Sequence, residues 1–376
     1  MSRGISKVIL VGVVAAVVLV VAIALYEWNA HKPETPATSY VRYSSPNFEI
    51  VGYNGTSITV DNYGSNITIR IPVGRVVADN SVAMQVLIDI GAGNAIVGIE
   101  GYAAKLPWLF GNLTRLPAVS GGMWSWNYEE MVDLKPDLVI EWSYGVQTVR
   151  SKLAPFGIPV IGYGPRDNLT SLIYFLGLIT NHTNGALRLI NFINDVHQVL
   201  SEGLSHVSSR YRAYVIFDYE YSLWFTSGPS GDPYWAVVNA GLQPCFNKSM
   251  QVEPGAVLQC DPDVVVAVTW YLNPHSPNAT AYCEAIINSI RSNPVLNATN
   301  AVRYGRIIVI PGYLTEGPPQ VIVSLYIASQ VYPSAFRGVN ATQYLDQYFE
   351  DFLRTAEPGG VSVSYTHLTL PTSDLV

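Results

Sequence analysis

The sequence predicts an α/β protein made of two similar lobes, each a helix-covered and mostly parallel sheet, joined by one long helix. Three observations predict it. Residues 127 to 142, NYEEMVDLKPDLVIEW, and residues 253 to 268, EPGAVLQCDPDVVVAV, share one order: a short amphipathic helix, Pro-Asp, then an apolar strand. The elements around each copy also recur in the same order. Between the copies, residues 184 to 209 keep helical spacing without proline. At 1.5 Å per residue that is roughly 40 Å of helix, long for a crossover inside one small domain.

The elements follow in turn. TSITVDNYGSNITIRIP, residues 56 to 72, alternates apolar and polar residues around Asn62-Tyr63-Gly64 and reads as a hairpin. RVVA, residues 75 to 78, starts a buried strand. SVAMQVLIDIG closes a helix at Gly91, and IVGIEG is the next strand. After the first Pro-Asp unit come a helix through Lys152 and the strand GIPVIGYG, residues 157 to 164. Beyond the long helix the order restarts with the strand RAYVIFDYE, residues 212 to 220, and the helix PYWAVVNAGL, residues 233 to 242. The second Pro-Asp unit follows, then RIIVIPGY, residues 306 to 313. Helical patterns run from Gln320 to Val331 and from Thr342 to Thr355. Strands alternating with helices require a mostly parallel sheet covered on both faces.

The 376 residues are 49% hydrophobic and 13% charged, which suits large buried sheets rather than disorder. A net charge of -7 without a basic stripe excludes nucleic acid as a partner. Val8 to Tyr26 is an unbroken apolar run preceded by Arg3 and Lys7, which predicts an N-terminal transmembrane helix with the body outside the cell. A cleaved signal peptide is the alternative, but no Ala-x-Ala site follows the run. Arg3-Gly4 looks like an archaeal pilin-type processing site. Nine Asn-x-Ser/Thr triplets start at Asn54, Asn66, Asn112, Asn168, Asn181, Asn247, Asn278, Asn297 and Asn340. Chance would give roughly three, so the excess predicts a glycosylated, extracellular and archaeal protein. Of three cysteines, Cys245, Cys260 and Cys283, at most one disulfide can form.

The ordered set of hairpin, Arg-Val-Val, helix, Gly-Ala-Gly, IVGIEG, Leu-Lys-Pro-Asp-Leu-Val-Ile and Gly-Ile-Pro-Val resembles ABC-importer substrate-binding proteins for cobalamin, ferric siderophores and haem. The resemblance covers residues 56 to about 355. It implies a class III periplasmic-binding-protein fold: two Rossmann-like lobes bridged by a single long α-helix. The expected organisation is a membrane anchor over 1–30, a stalk over 31–46, a first lobe over 47–182, a linker helix over 183–210, a second lobe over 211–355 and a tail over 356–376. The resemblance also implies an ABC permease and ATPase as partners, a metal chelate as ligand, and no catalysis. Family members dock onto the permease through one Glu on each lobe. Glu129 matches the first of these. Gly255 stands at the aligned position of the second lobe, with Glu253 the nearest carboxylate.

Aromatic residues cluster at strand ends and predict the ligand cleft. They are Trp124, Trp126, Trp142, Tyr144 and Tyr163 in the first lobe, and Tyr219, Tyr221, Trp224, Trp270, Tyr271 and Tyr313 in the second. Such a cleft suits a large, flat or amphipathic ligand such as a ferric siderophore, cobalamin or haem. Arg166 is the one arginine just past these strand ends, placed to meet a ligand carboxylate or a nearby acid. FTSGPSGDPY, residues 225 to 234, offers backbone amides, and Glu316 either contacts ligand or starts a helix. GAGNAI, residues 91 to 96, follows a helix rather than a strand, which excludes a dinucleotide loop. Of the six histidines only His275 lies near the predicted cleft, and no three-His, one-carboxylate metal site can be assembled. A sensor or adhesion ectodomain on the same fold is the alternative function. A secreted enzyme would need a nucleophile-base pair that the sequence does not show. The tail VSYTHLTLPT, residues 363 to 372, back-translates to the end of a transposase-type sequencing adapter, so 363–376 is read as non-native.

Overall fold

In the computed structural model, the residues described are 44–353 apart from 46, 123, 271, 274 and 275. They fall in one unit. The predicted anchor, nearly all of the stalk, the tail, Tyr271 and His275 lie outside the described residues. Among the described residues no helix is long and apolar enough to cross a membrane.

The chain starts with an antiparallel sheet of β1 (Ser44–Ser45), β2 (Phe48–Tyr53), β3 (Ser57–Asn62) and β4 (Ser65–Arg70), in that order. Tyr63 and Gly64 form the tight turn between β3 and β4, both with positive φ (50° and 74°). Such turns match the twist of a hairpin.

The first lobe holds β5 (Val76–Asp79), β6 (Ile96–Ile99), a short pair β7 (Ser120–Gly122) and β8 (Ser125–Trp126), then β9 (Leu138–Trp142) and β10 (Val160–Tyr163). Its parallel sheet runs β10-β9-β5-β6. The hairpin blunts the β10 edge. Asn62 accepts from Gly162 N at 2.7 Å and donates to Gly162 O at 3.0 Å, so the edge backbone is satisfied by a side chain.

The second lobe holds β11 (Arg212–Asp218), β12 (Ser222–Thr226), β13 (Gln243–Pro244), β14 (Met250–Gln251), β15 (Val264–Thr269) and β16 (Ile307–Pro311). Its parallel strands run β13-β11-β15-β16. This is the first lobe's order, with β11 in the place of β5 and β15 in the place of β9. The repeated Pro-Asp has one job in both copies. Asp137 Oδ2 accepts from Gly74 N and Arg75 N, each at 2.9 Å, and Asp263 Oδ2 accepts from Arg212 N at 2.9 Å. Each aspartate thus satisfies the amides that open the lobe's first strand.

The helix Thr183–Ser205 connects the lobes. Its buried face includes Ala186, Leu189, Ile190, Ile193, Val196 and Leu200, the three-and-four spacing of an amphipathic helix. A glycine near each end permits a close approach. A Cβ on Gly185 would lie 2.0 Å from Ile90 O, and one on Gly203 would lie 2.2 Å from the Phe336 ring. A second tie runs back from the C-terminal helix Ala341–Tyr348. Tyr348, fully buried, donates to Asp89 Oδ2 at 2.6 Å on the first lobe's helix Ser81–Asp89. Cys245 and Cys260 form a disulfide, Cα to Cα 5.9 Å, closing a loop 15 residues apart. Such a loop contributes about 3 kcal/mol in the chain-entropy account. Cys283 is free.

Candidate ligand-binding cleft

Parallel strands in both lobes end at a shared cavity of about 630 Å³. Loops at the carboxyl ends of such strands are where open α/β sheets bind ligands. One wall comes from the hairpin turn (Tyr63) and the first lobe's strand ends (Asp79, Glu100, Glu141, Trp142). The other comes from Phe217, the Pro229–Pro233 turn, Trp270, Tyr313 and Glu316.

Six of the predicted site residues line this cavity: Trp126, Trp142, Tyr144, Arg166, Trp270 and Tyr313. Their polar ends are fixed. Trp126 Nε1 donates to Glu141 Oε2 at 3.0 Å, Trp142 Nε1 to Glu100 Oε2 at 2.7 Å, and Trp270 Nε1 to Phe217 O at 3.0 Å. Tyr313 donates to Leu272 O and packs against Trp108, ring centroids 4.7 Å apart and planes tilted by 54°. Trp142 and Tyr144 lie parallel, ring centroids 6.3 Å apart. Arg166 Nε reaches Pro229 O across the cleft at 3.4 Å, its best-defined partner being a carbonyl rather than an acid.

The structure places the other aromatics elsewhere. Trp124, 60% exposed, packs edge-on against Trp126 outside the cavity lining. Tyr163 is buried beside a separate cavity of about 250 Å³. Tyr219 and Trp224 pack against the second lobe's core, and Tyr221 is 72% exposed. The reason is β12, which folds back antiparallel on β11 and carries the aromatics after that strand away from the cleft. Tyr271 and His275 are not described. Glu129, exposed, sits in the first turn of Tyr128–Asp133, and Glu253, exposed, precedes Pro254–Cys260. The two helices are the lobes' matching elements before Pro-Asp. A Cβ on Gly255 would meet nothing within 4 Å, so space does not dictate the missing carboxylate there.

Of the cavity's acids, sequence reasoning named Glu316 and missed the others. Asp79 and Glu141 sit side by side in register on β5 and β9, 2% and 1% exposed. Asp79 Oδ1 accepts from Ser120 Oγ at 2.5 Å. Its Oδ2 is buried and has no N–H or hydroxyl partner. The group beside it is the Glu141 carboxyl, with which it can share a proton. Burial, then the charge on Asp79, pushes Glu141 well up. Glu100, 8% exposed, accepts from Ser81 N at 3.2 Å, and Ser81 Oγ donates across the cleft to Glu316 Oε2 at 2.8 Å. Burial, then the charge on Glu316, raises Glu100 to about 8. Burial, then Asp232, raises Glu316 to about 8, and burial raises Asp232 to about 7. The signal was there: an Asp closes the apolar strand RVVAD and a Glu interrupts DLVIEW. A charge inside a fully buried strand needs a reason. Among the described residues no three His, Cys, Asp or Glu side chains converge as metal ligands would.

Known proteins share this architecture. Residues 76–314 match the family model described as "Periplasmic binding protein". A cobalamin-binding protein of Halobacterium salinarum is 24% identical over 273 residues, 70% of this chain and 70% of that protein. Among solved structures, a molybdate periplasmic binding protein of Haemophilus influenzae superposes with a TM-score of 0.64 at 18% identity, over 77% of this chain and 96% of that one. A periplasmic heme-binding protein of Pseudomonas aeruginosa gives 0.55 at 20% identity, over 70% and 94%. These likenesses establish the fold, and the family match extends over more than half of the sequence. The chain belongs to the periplasmic binding protein family.

Proposed function

We propose that this chain is the extracellular solute receptor of an ABC importer and captures a metal chelate between its lobes. The ligand class is that of ferric siderophores, cobalamin and haem. The observation that carries this reading is the cavity of about 630 Å³, within the usual range for small-molecule sites, walled by Trp126, Trp142, Tyr144 and Trp270. Large rings with fixed polar ends give apolar area and orientation together. The named relatives support it, since one is a cobalamin-binding and one a heme-binding protein.

In this reading residues 47–182 and 211–355 are the two lobes and 183–210 is the linker. Residues 1–30 anchor the chain in the membrane, 31–46 form a stalk, and 356–376 are a tail, of which 363–376 is non-native and carries no function. All nine sequon asparagines are exposed, which supports a glycosylated outer surface. Asn168 and Asn340 cap helices through Oδ1 and so leave the amide nitrogen, the atom a glycan uses, pointing elsewhere. Glu129 and Glu253, exposed at the starts of matching helices, are the permease contacts. Two ties between the lobes, the linker helix and Tyr348–Asp89, favour small lobe motion over wide closure.

The test is tryptophan-fluorescence titration of the full chain against ferric siderophores, cyanocobalamin and haemin, with inner-filter controls. Saturable, submicromolar quenching by one of them is expected. No response to any would overturn the chelate reading and leave a sensor or adhesion ectodomain.

A further inference from the structure

Among the described residues seven charged side chains line the cleft, and six are acids: Asp79, Glu100, Glu141, Asp218, Asp232 and Glu316. The seventh is Arg166, exposed at the rim. Four of the acids are under a tenth exposed. The fold does not require this polarity. The second lobe's positions equivalent to Asp79 and Glu141, by register from the strand-opening Pro-Asp, are Ile216 and Ala267, both fully buried. One carboxylate oxygen, Asp79 Oδ2, is buried in the cavity lining without an N–H or hydroxyl partner. That oxygen and the Glu141 carboxyl share a proton between two buried acids, a place where a cationic or N–H donor from the ligand can substitute for the proton. The aromatic walls point the same way, because ring faces attract cations. A bare metal ion is not that partner, since no three ligating side chains converge among the described residues.

We propose that the cleft selects positively charged or N–H-rich chelates through the carboxyls of Asp79, Glu100, Glu141 and Glu316, and disfavours chelates whose outer surface carries carboxylates. This rests on the chelate-receptor reading and narrows it. An ammonium or amide N–H entering the floor takes the place of the proton that Asp79 and Glu141 share and lets neighbouring carboxyls ionise. An entering carboxylate makes them hold or take up protons instead. Burial raises Glu100 and Glu316 to about 8 and Asp232 to about 7, so this exchange falls near neutral pH. The lining tyrosines Tyr63 and Tyr144 are pushed up by burial and stay neutral throughout.

The test uses charge series on two scaffolds, so that charge is separated from shape. One series is ferrioxamine B (cationic ammonium arm), its N-acetyl form (neutral) and its N-succinyl form (anionic). The other is a cyanocobalamin aminoethylamide (cationic ammonium arm), cyanocobalamin (neutral) and a cyanocobalamin monocarboxylate (anionic). The full chain is titrated calorimetrically with each at pH 6 and pH 9 in buffers of differing ionisation heat. The expected result on the scaffold that binds is at least 10-fold tighter binding of the cationic member than the anionic one, a gap that widens at pH 9. Proton release is expected with the cationic member. A folded E100Q/E316Q variant should narrow the gap to under 3-fold, because glutamine is the isostere of the protonated acid but cannot ionise. Equal or reversed affinities along the series, or an unchanged gap in the variant, would overturn the charge selectivity while leaving the receptor reading intact. Failure of all six probes would overturn the charge selectivity, and failure of haemin as well would overturn the receptor reading.

Discussion

The two lobes solve the same folding problem and differ where folding does not decide. Both open their first strand with a Pro-Asp carboxylate on backbone amides, and both run their parallel strands in the same order. Four residues past Arg75 and Arg212, the first lobe places Asp79 against Glu141 and the second places Ile216 against Ala267. Burying two carboxyls in adjacent strands costs desolvation that an apolar pair avoids. The second lobe shows the apolar solution that the fold accepts. The difference teaches that the first lobe's acids serve the cleft.

Putting an acid into the second lobe breaks the comparison most severely. Ile216→Asp leaves a buried, unpaired carboxyl in the core around Tyr214, Val265 and Ala267. Its expected cost is about 3–5 kcal/mol, read by urea denaturation. The reverse exchange, Asp79→Ile with Glu141→Ala, should be neutral or stabilising by about 1–3 kcal/mol while it removes ligand binding. An equal loss of stability in both directions would mean that the acids are structural.

The pH dependence is the next effect. Glu100 and Glu316 keep their protons up to about 8 in the folded protein, and Asp232 up to about 7, whereas the unfolded chain releases them near 4 to 4.5. The folded state therefore binds more protons across that window. Stability is greatest below pH 4 to 4.5 as far as these groups are concerned, and is lost as pH rises through 7 to 8. Thermal unfolding of the ligand-free protein should fall by roughly 5 °C between pH 5.5 and pH 9. The fall should flatten in E100Q/E316Q.

The smaller effects test the shared part. Asp137→Ala orphans two amides and Asp263→Ala one, so losses of about 2 and 1 kcal/mol are expected by denaturation, in that order. Exposed Glu129→Ala and Glu253→Ala should change stability by under about 0.5 kcal/mol. Both should reduce ATPase stimulation in the reconstituted importer.

The architecture was largely legible because each element carries a local pattern. The linker's apolar spacing is read along one helix, and the hairpin at Tyr63-Gly64 is a tight-turn signal. Five of the predicted aromatics reached the cleft because they follow parallel strands or the loops beside them. Tyr219 and Trp224 did not, because the backfolded β12 has no counterpart in the first lobe's parallel set. The acids were hidden for a different reason. Glu141 was absorbed into an apolar strand, and its meaning depends on Asp79, 62 positions earlier, lying in register beside it. Likewise Ser81, which gives its amide to Glu100, gives its hydroxyl to Glu316, 235 positions further on, which no periodicity records.

The central claim is that the acid- and aromatic-lined cleft between the lobes is where the solute binds. The most direct measurement is a calorimetric titration of the full chain and of its D79I/E141A variant with the tightest-binding chelate, alongside thermal unfolding of both. The account predicts submicromolar, one-to-one binding to the unaltered chain, at least 10-fold weaker binding to the variant, and no loss of thermal stability. Equal affinity for both proteins would place the ligand elsewhere and contradict it.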